Sequence, residues 1–363
     1  MLDGLDKFVE EYCKRASLIT NEFEQELVNA LLDAIVDYYD DPTDEKKSHI
    51  VHYLRRHTEK SSNELENELR ELWDDAIQST SPDISKYGKR KSRDQAIKDA
   101  DKAMEKYWKF VKSKGRYTSN IMVGNTMKTV EQFFVSFIEK YSKAIIQRER
   151  PIRNLIADAI DDLTSRGVSY IDYESGVHRS IEASIRQQLL YNLKTSAQER
   201  RFLIARDSGA TIFEFTAHAD ARPSHQTWQG KRFDITGEYY PTLDELTHGE
   251  HNDYGCRHDY YPIYHKDDKP AHTDEQLKNI NTKPFKFKGK EYTGYEARQR
   301  MRDYERRIRK YKKRDVYYKE MKVDDDVIKK NKYKLSALRS EYADFCKAYG
   351  EPQRIDRLKI GKK

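Results

Sequence analysis

The sequence predicts an α+β fold: a predominantly helical N-terminal half, a small β-containing core with long loops, and basic helices at the C-terminal end. Three observations carry this. Apolar residues recur at helical spacing from Tyr12 to Leu163. An apolar, strand-like run at Ile212, Phe213 and Phe215 then leads into a stretch crowded with Gly, Pro, His, Asp and Tyr. From Tyr295 the chain becomes a dense run of arginine and lysine with a thin apolar stripe.

The 363 residues leave room for about two or three domains. Only 37% are apolar and 36% are charged, with a mean hydropathy of −1.00, which points to exposed helical surface rather than one thick core. The 26 tyrosines fit this, since a tyrosine packs its ring and still reaches a polar partner. A net charge of +6, set against 68 basic and 62 acidic groups, does not by itself mark a nucleic-acid binder. Three cysteines, far apart and odd in number, imply no disulfide framework and suit a reducing compartment. No signal pattern and no membrane-length apolar run is present, so the chain is expected to be soluble and off the membrane.

Residues 1–40 read as a helix through Tyr12, Phe23, Leu27, Leu31, Ile35 and Tyr38, broken by Asp41-Pro42. A second helix is predicted over 45–77 on Leu54, Leu65, Leu69 and Leu72. The stretch 79–93, rich in Ser, Pro, Gly and Lys, reads as a linker. From 94 to 148 the pattern is again helical, with a break near Gly115 and a face of Phe137, Ile138, Tyr141 and Ile145. Pro151 suits the first turn of the next helix, which Gly167 ends. Residues 168–173 read as extended and 180–207 as helix. Loops and short strands fill 230–284, and a hairpin around Gly289 precedes the basic helix and a last helix over 333–349. The corresponding division is 1–93, 94–207, 208–293 and 294–363.

Seven of the eleven histidines lie between His218 and His272. His218, Asp220, His225, Cys256 and His258 are all acceptable zinc ligands, but no Cys-x-x-Cys pair is present and the spacing matches no standard zinc module. His218, Asp220, His225 and His258 with Arg222 would suit general acid–base work on a phosphodiester, as in a small nuclease, although no nucleophile is signalled. The third reading is a brace between two loops. Arg222 and Arg257 offer forks for carboxylates or carbonyls, Pro223 sets a turn, Trp228 packs beneath it and Gly230 permits a close approach. The brace accounts for every residue and is preferred here, with no catalytic residue and no cofactor expected and zinc as the alternative. On the basic helix, Arg302, Arg306, Arg307, Arg309, Lys310 and Lys313 are candidates to meet phosphates or an acidic protein surface, while Met301, Tyr304, Ile308 and Tyr311 form its packing stripe. The opposing reading is a solvated face with internal ion pairs through Asp303 and Glu305.

The stretch HADARPSHQTWQGKRF, from His218 to Phe233, resembles the hallmark of the phage minor capsid protein 2 family, relatives of the minor head proteins that accompany the portal of tailed phages. GCRHDYYPIY is similar to the family's second segment, with Gly255 where asparagine is usual. YEARQRMRDYERRIRKYKKR and, upstream, GVSYIDYESGVHRSIEASIRQQL also fit. The resemblance covers roughly residues 150–350 and implies a structural protein of the phage head, assembled in the host cytoplasm. It implies as partners the portal protein, the major capsid or scaffolding protein, and packaged DNA during packaging or ejection. His218, Arg222, His225, Trp228, Gly230, Cys256, Arg257 and His258 carry over as structural signature residues.

Overall fold

A computed structural model describes residues 2–84, 120–123, 126–146, 151–166, 170–172, 178–180, 191, 194–195, 198, 202, 205–206, 209–251 and 256–361. The expected linker over 85–93, the helix over 94–119, Gly115, Gly167 and Gly255 lie outside these residues.

Helix α1 (Leu2–Asp40) and helix α2 (Asp44–Ile84) pack against each other. The Asp41-Pro42 break falls as predicted, and the Thr43 hydroxyl accepts from Lys46 N–H at 3.2 Å to open α2. Tyr12 and Arg15 on α1 both reach Asp75 on α2, at 3.1 and 2.8 Å, so the start of one helix lies beside the far half of the other. Helix α2 runs on to Ile84, through the start of the expected linker.

Residues 120–129 correct the sequence reading. In place of helix they form an antiparallel hairpin, β1 (Asn120–Val123) with β2 (Thr126–Thr129), in register Val123↔Thr126. The reason is legible afterwards: Ile121, Val123, Thr126 and Thr129 favour extended backbone, and Gly124-Asn125 stands between them as a two-residue turn signal. Helix α3 (Val130–Ile146) and helix α4 (Ile152–Arg166) follow. Leu31, Leu32, Ile35, Leu54, Ile145 and Ile160 are buried in the core that α1 to α4 share. A small ladder, β3 (Tyr170–Asp172) with β4 (His178–Ser180), comes next, and the described residues between 191 and 206 are helical.

The central sheet has three antiparallel strands in the order β6 (Arg232–Asp234), β5 (Ile212–Phe215), β7 (Tyr260–Ile263). Two one-turn helices, α5 (Leu243–Thr247) and α6 (Asp274–Lys278), interrupt the stretch expected as loops and strands. Each starts at a capping box, Thr242 with Glu245 and Thr273 with Gln276.

The hairpin β8 (Phe285–Phe287) and β9 (Lys290–Tyr292) leads into helix α7 (Gly294–Glu320), again through a capping box, Thr293 with Glu296. Helix α8 (Asp325–Tyr349) packs back along α7 and stops at Gly350, which takes the left-handed conformation at φ +80°. Met301, Tyr304 and Ile308 meet Leu338, Tyr342 and Phe345 in a second core, as the apolar stripe predicts. The far end of α7 belongs to the bundle. Tyr317 and Tyr318 are buried there, Lys313 pairs with Glu24 at 2.7 Å, and Arg314 donates to Thr164 and Ser165 at 2.8 Å each. Among the described residues no helix is long and apolar enough to cross a membrane.

Candidate signature site

Strand β5 builds the site. All four of its residues are buried. Phe213 stacks on Phe233 at 5.4 Å, Phe215 meets it tilted at 5.3 Å, and Tyr260 meets the group edge-on. Beyond Phe215 the pairing with the neighbouring segment continues through one backbone bond and one side-chain hydroxyl. Thr216 N–H donates to the Asp259 carbonyl at 2.8 Å, and the Thr216 hydroxyl accepts from Asp259 N–H at 2.9 Å. This brings His218 beside Arg257, whose carbonyl accepts from His218 Nε2 at 3.0 Å. A carbonyl can only accept, so that ring nitrogen carries the proton.

Pro223 opens a single 3-10 turn, Pro223–Thr227, with the Arg222 carbonyl accepting from His225 N–H at 2.9 Å. The turn buries His225 and delivers Trp228 underneath it, 4.7 Å from the Phe215 ring. Trp228 also lies 4.7 Å from the rings of both His225 and His258. Gly230 has φ +69°, and a Cβ there would come within 2.6 Å of Leu277, so the expected close approach is present together with a left-handed backbone.

Gln229 ties the two loops together, a role the sequence reading missed. It is buried, and its Oε1 accepts from His218 N–H at 3.0 Å and from His258 Nε2 at 3.1 Å. Lys194 and Gln198, on the preceding helical segment, donate to the carbonyls of Cys256 and His258 at 2.9 and 3.0 Å. Burial first, then the neighbouring His218, His225 and Lys194, lowers His258 to about 2, so its imidazole stays neutral. His225, Cys256 and His258 converge: their donor atoms lie within 4.8 Å of one another, and all three are buried.

Asp220 goes elsewhere. It adopts φ +58°, a left-handed conformation that aspartate tolerates better than most residues. Its carboxylate accepts from Thr282 N–H and Thr282 hydroxyl at 2.8 Å each and from the Tyr349 hydroxyl at 2.6 Å, with Arg298 at 3.6 Å. A Cβ on Gly294 would overlap that carboxylate. Asp220 therefore fastens the hallmark loop to the start of α7 and the end of α8, apart from the histidines it stands beside in sequence.

A second unpredicted hub lies on the opposite side of β5. Buried Glu214 binds Arg232 Nε at 2.8 Å, the Tyr261 hydroxyl at 2.5 Å and Ala271 N–H at 2.7 Å. The Arg232 guanidinium continues to the Asp268 carbonyl at 2.7 Å. Burial works against the Arg232 charge, but the bonds to Glu214 and Tyr240 outweigh it and raise its affinity for the proton. Asp234 closes the β6 turn by accepting from Thr236 and Tyr239; burial pushes its carboxyl up, and these bonds pull it net below its ordinary value. Glu214 and Arg232 sit in cross-strand register, a cue that sequence shows only once the strands are paired.

On α7 the basic candidates divide. Arg309 donates to the Arg357 carbonyl at 3.1 Å, and Lys313 pairs with Glu24. Arg300, Arg306 and Arg307 converge on the single carboxylate of Asp303 at 3.2, 3.3 and 3.8 Å. Arg302 is exposed, close enough to Arg257, Arg354 and Arg357 for their charges to act on it, and Lys310 is half-buried. Glu305 turns inward, accepting from Tyr342 at 3.1 Å.

Compared with known proteins, the chain matches the profile described as Phage minor capsid protein 2 over residues 41–347. Neither a curated protein nor a solved structure matches it.

Proposed function

The chain belongs to the phage minor capsid protein 2 family, structural constituents of the phage virion that work alongside other head components, and on that premise we propose that it joins the portal protein to the inner capsid during head assembly. Assembly takes place in the host cytoplasm, with the portal and the major capsid or scaffolding protein as partners. The observation that carries this reading is the fate of the signature residues. Trp228, Gln229, His225 and His258 are each 3% exposed or less and bonded or packed to one another. Groups so enclosed hold loops in place rather than meet a polymeric substrate, which favours architecture over catalysis. Exposed Tyr239, Tyr264 and Tyr333 supply aromatic surface of the kind protein partners use.

Contact with packaged DNA is the second part of the proposal, and it falls to Arg302, Arg306 and Arg307. Arg306 and Arg307 share the single Asp303 carboxylate with Arg300, and Arg302 lies among the charges of Arg357, Arg257 and Arg354, so positive charge outweighs negative on this part of α7. Such a face neutralises phosphates without reading sequence. Co-expression with the portal protein of the same phage tests the first part: the two should co-sediment, and incorporation into procapsids should fall when the portal is omitted. Equal incorporation with and without portal would sink that reading. For DNA, the triple change of Arg302, Arg306 and Arg307 to Gln should flatten the dependence of affinity on salt; an unchanged slope would remove DNA from the list.

A further inference from the structure

We propose that His225, Cys256 and His258 form a transition-metal site and that its ion is zinc. The sequence alone favoured a metal-free brace, and no spacing rule could have joined a histidine of the hallmark turn to a Cys-x-His pair so far along the chain. The fold joins them. Their donor atoms stand within 4.8 Å of one another inside the protein. Two nitrogens and a thiolate are a donor set suited to zinc, which is borderline-soft and takes four ligands.

The local geometry suits coordination at each ligand. Cys256 and His258 are two apart on the extended stretch that leads into β7, so their side chains share a face, and both are buried while Arg257 between them is exposed. Cys256 Sγ lies 3.6 Å from His258 Nδ1. A tetrahedral ion with a Zn–S bond of about 2.3 Å and a Zn–N bond of about 2.0–2.1 Å separates sulfur and nitrogen by about 3.6 Å. Gln229 sets the tautomer. Its Oε1 is oriented by the backbone N–H of His218, which can only donate, so His258 must present Nε2–H to it. The lone pair of His258 is then on Nδ1, the nitrogen facing the thiol. A ring nitrogen that donates to a side-chain carbonyl while its partner faces the ion is the usual outer-sphere arrangement of a zinc-bound histidine. Lys194 and Gln198 hold the ligand strand through the carbonyls of Cys256 and His258.

Neither His218 nor Asp220 is a ligand in this arrangement, since His218 Nε2 binds the Arg257 carbonyl and Asp220 serves Thr282 and Tyr349. Among the described residues the ion has three protein ligands, with a fourth position for a water. Its effect is to fasten the hallmark turn to the second signature segment, coupling metal binding to folding.

The first experiment is elemental analysis of the full-length chain, purified without chelator and dialysed against zinc. It is paired with the visible and near-ultraviolet spectrum of the cobalt(II)-substituted wild type. Stoichiometric zinc is expected, with intense tetrahedral d–d bands and a thiolate-to-cobalt charge-transfer band. Cys256→Ser should abolish the charge-transfer band, and His225→Asn should lower zinc occupancy at least tenfold. If either variant fails to fold, the wild-type spectrum alone still decides. A wild type that retains no zinc, or a cobalt form lacking the thiolate band, overturns the proposal, as does full zinc in folded Cys256→Ser.

Discussion

The helical bundle and the signature sheet are held together in different ways. In the bundle the buried side chains are mostly aliphatic, with Leu31, Leu32, Ile35 and Leu54 fully enclosed. Its buried threonines return their hydroxyls to their own helix, Thr20 to the Ala16 carbonyl and Thr58 to the Leu54 carbonyl, while Ser61, Tyr12 and Tyr141 each reach one carboxylate of a neighbouring helix. Around β5 the enclosed groups include Glu214, Asp220, His225, Gln229, Arg232, Asp234 and His258, and the bonds given for Glu214, Asp220, Gln229, Arg232 and His258 cross from one segment to another. A sheet of three strands, each three or four residues long, buries little apolar area by itself. Paired polar groups complete it. The bundle therefore depends on a pattern that many residues satisfy, while the sheet depends on particular side chains. This is also why the hallmark can be recognised as a string of letters.

The comparison is tested hardest at Glu214. Glu214→Ala would leave the Arg232 guanidinium enclosed without its carboxylate and remove the acceptor of Tyr261 and Ala271. Breaking a buried pair from one side costs about 3–5 kcal/mol. Urea denaturation followed by tryptophan fluorescence and by circular dichroism should report that loss. A cost under about 1 kcal/mol would mean that the sheet is not held by its polar hub.

Next in size is Asp220→Asn, a change with almost no effect on volume. It replaces a carboxylate that accepts three bonds and stands near Arg298. Hydrogen bonds to charged groups are worth about 1.5–3 kcal/mol each, and the amide keeps part of them, so the expected loss is about 1.5–3 kcal/mol in all. The same measurement on Tyr349→Phe should reproduce part of the loss, because that hydroxyl donates to the Asp220 carboxylate of the loop. Full stability in both variants would detach α8 from the hallmark loop.

Periodicity made the first type of region readable. The helices over 1–40 and after Pro151, the stripe of Met301, Tyr304 and Ile308, and the strand at Ile212 follow from spacing alone. It failed at residues 120–129, where a long helical window absorbed a short β-branched run and its turn signal. The capping boxes at Thr242 and Thr273 were readable but short enough to pass as loop. In the second type of region the reach of sequence was different. Trp228 could be placed under a turn, and Gly230 at a close approach, from local chemistry. The partners of Asp220, Glu214 and Gln229 could not, because each bonds to a residue that only strand pairing or helix return brings near. Neighbours in sequence, Asp220 and His218, serve different parts of the molecule.

The third test belongs to the bundle. Leu31→Met keeps volume and hydrophobicity at a fully buried position. Swaps of this kind usually cost less than about 1.5 kcal/mol. Set beside Asp220→Asn, it asks whether equal conservation of shape is enough in one region and not in the other. A Leu31→Met loss as large as that of Asp220→Asn would erase the distinction drawn here.

The smallest effect is expected on the outside of the bundle. Lys60 and Glu64 lie four residues apart on α2, 3.8 Å from each other, with their side chains 78% and 56% exposed. In water such a pair gains little and orders two long side chains, so about 0.3–0.5 kcal/mol is the usual worth. Lys60→Gln should stay within that range at low salt and become undetectable at high salt, where exposed charges are screened. A much larger loss, insensitive to salt, would mean that the acidic and basic surface of α2 stabilises the isolated chain. Without it, that heavily charged face is left for solubility and for partners in the head.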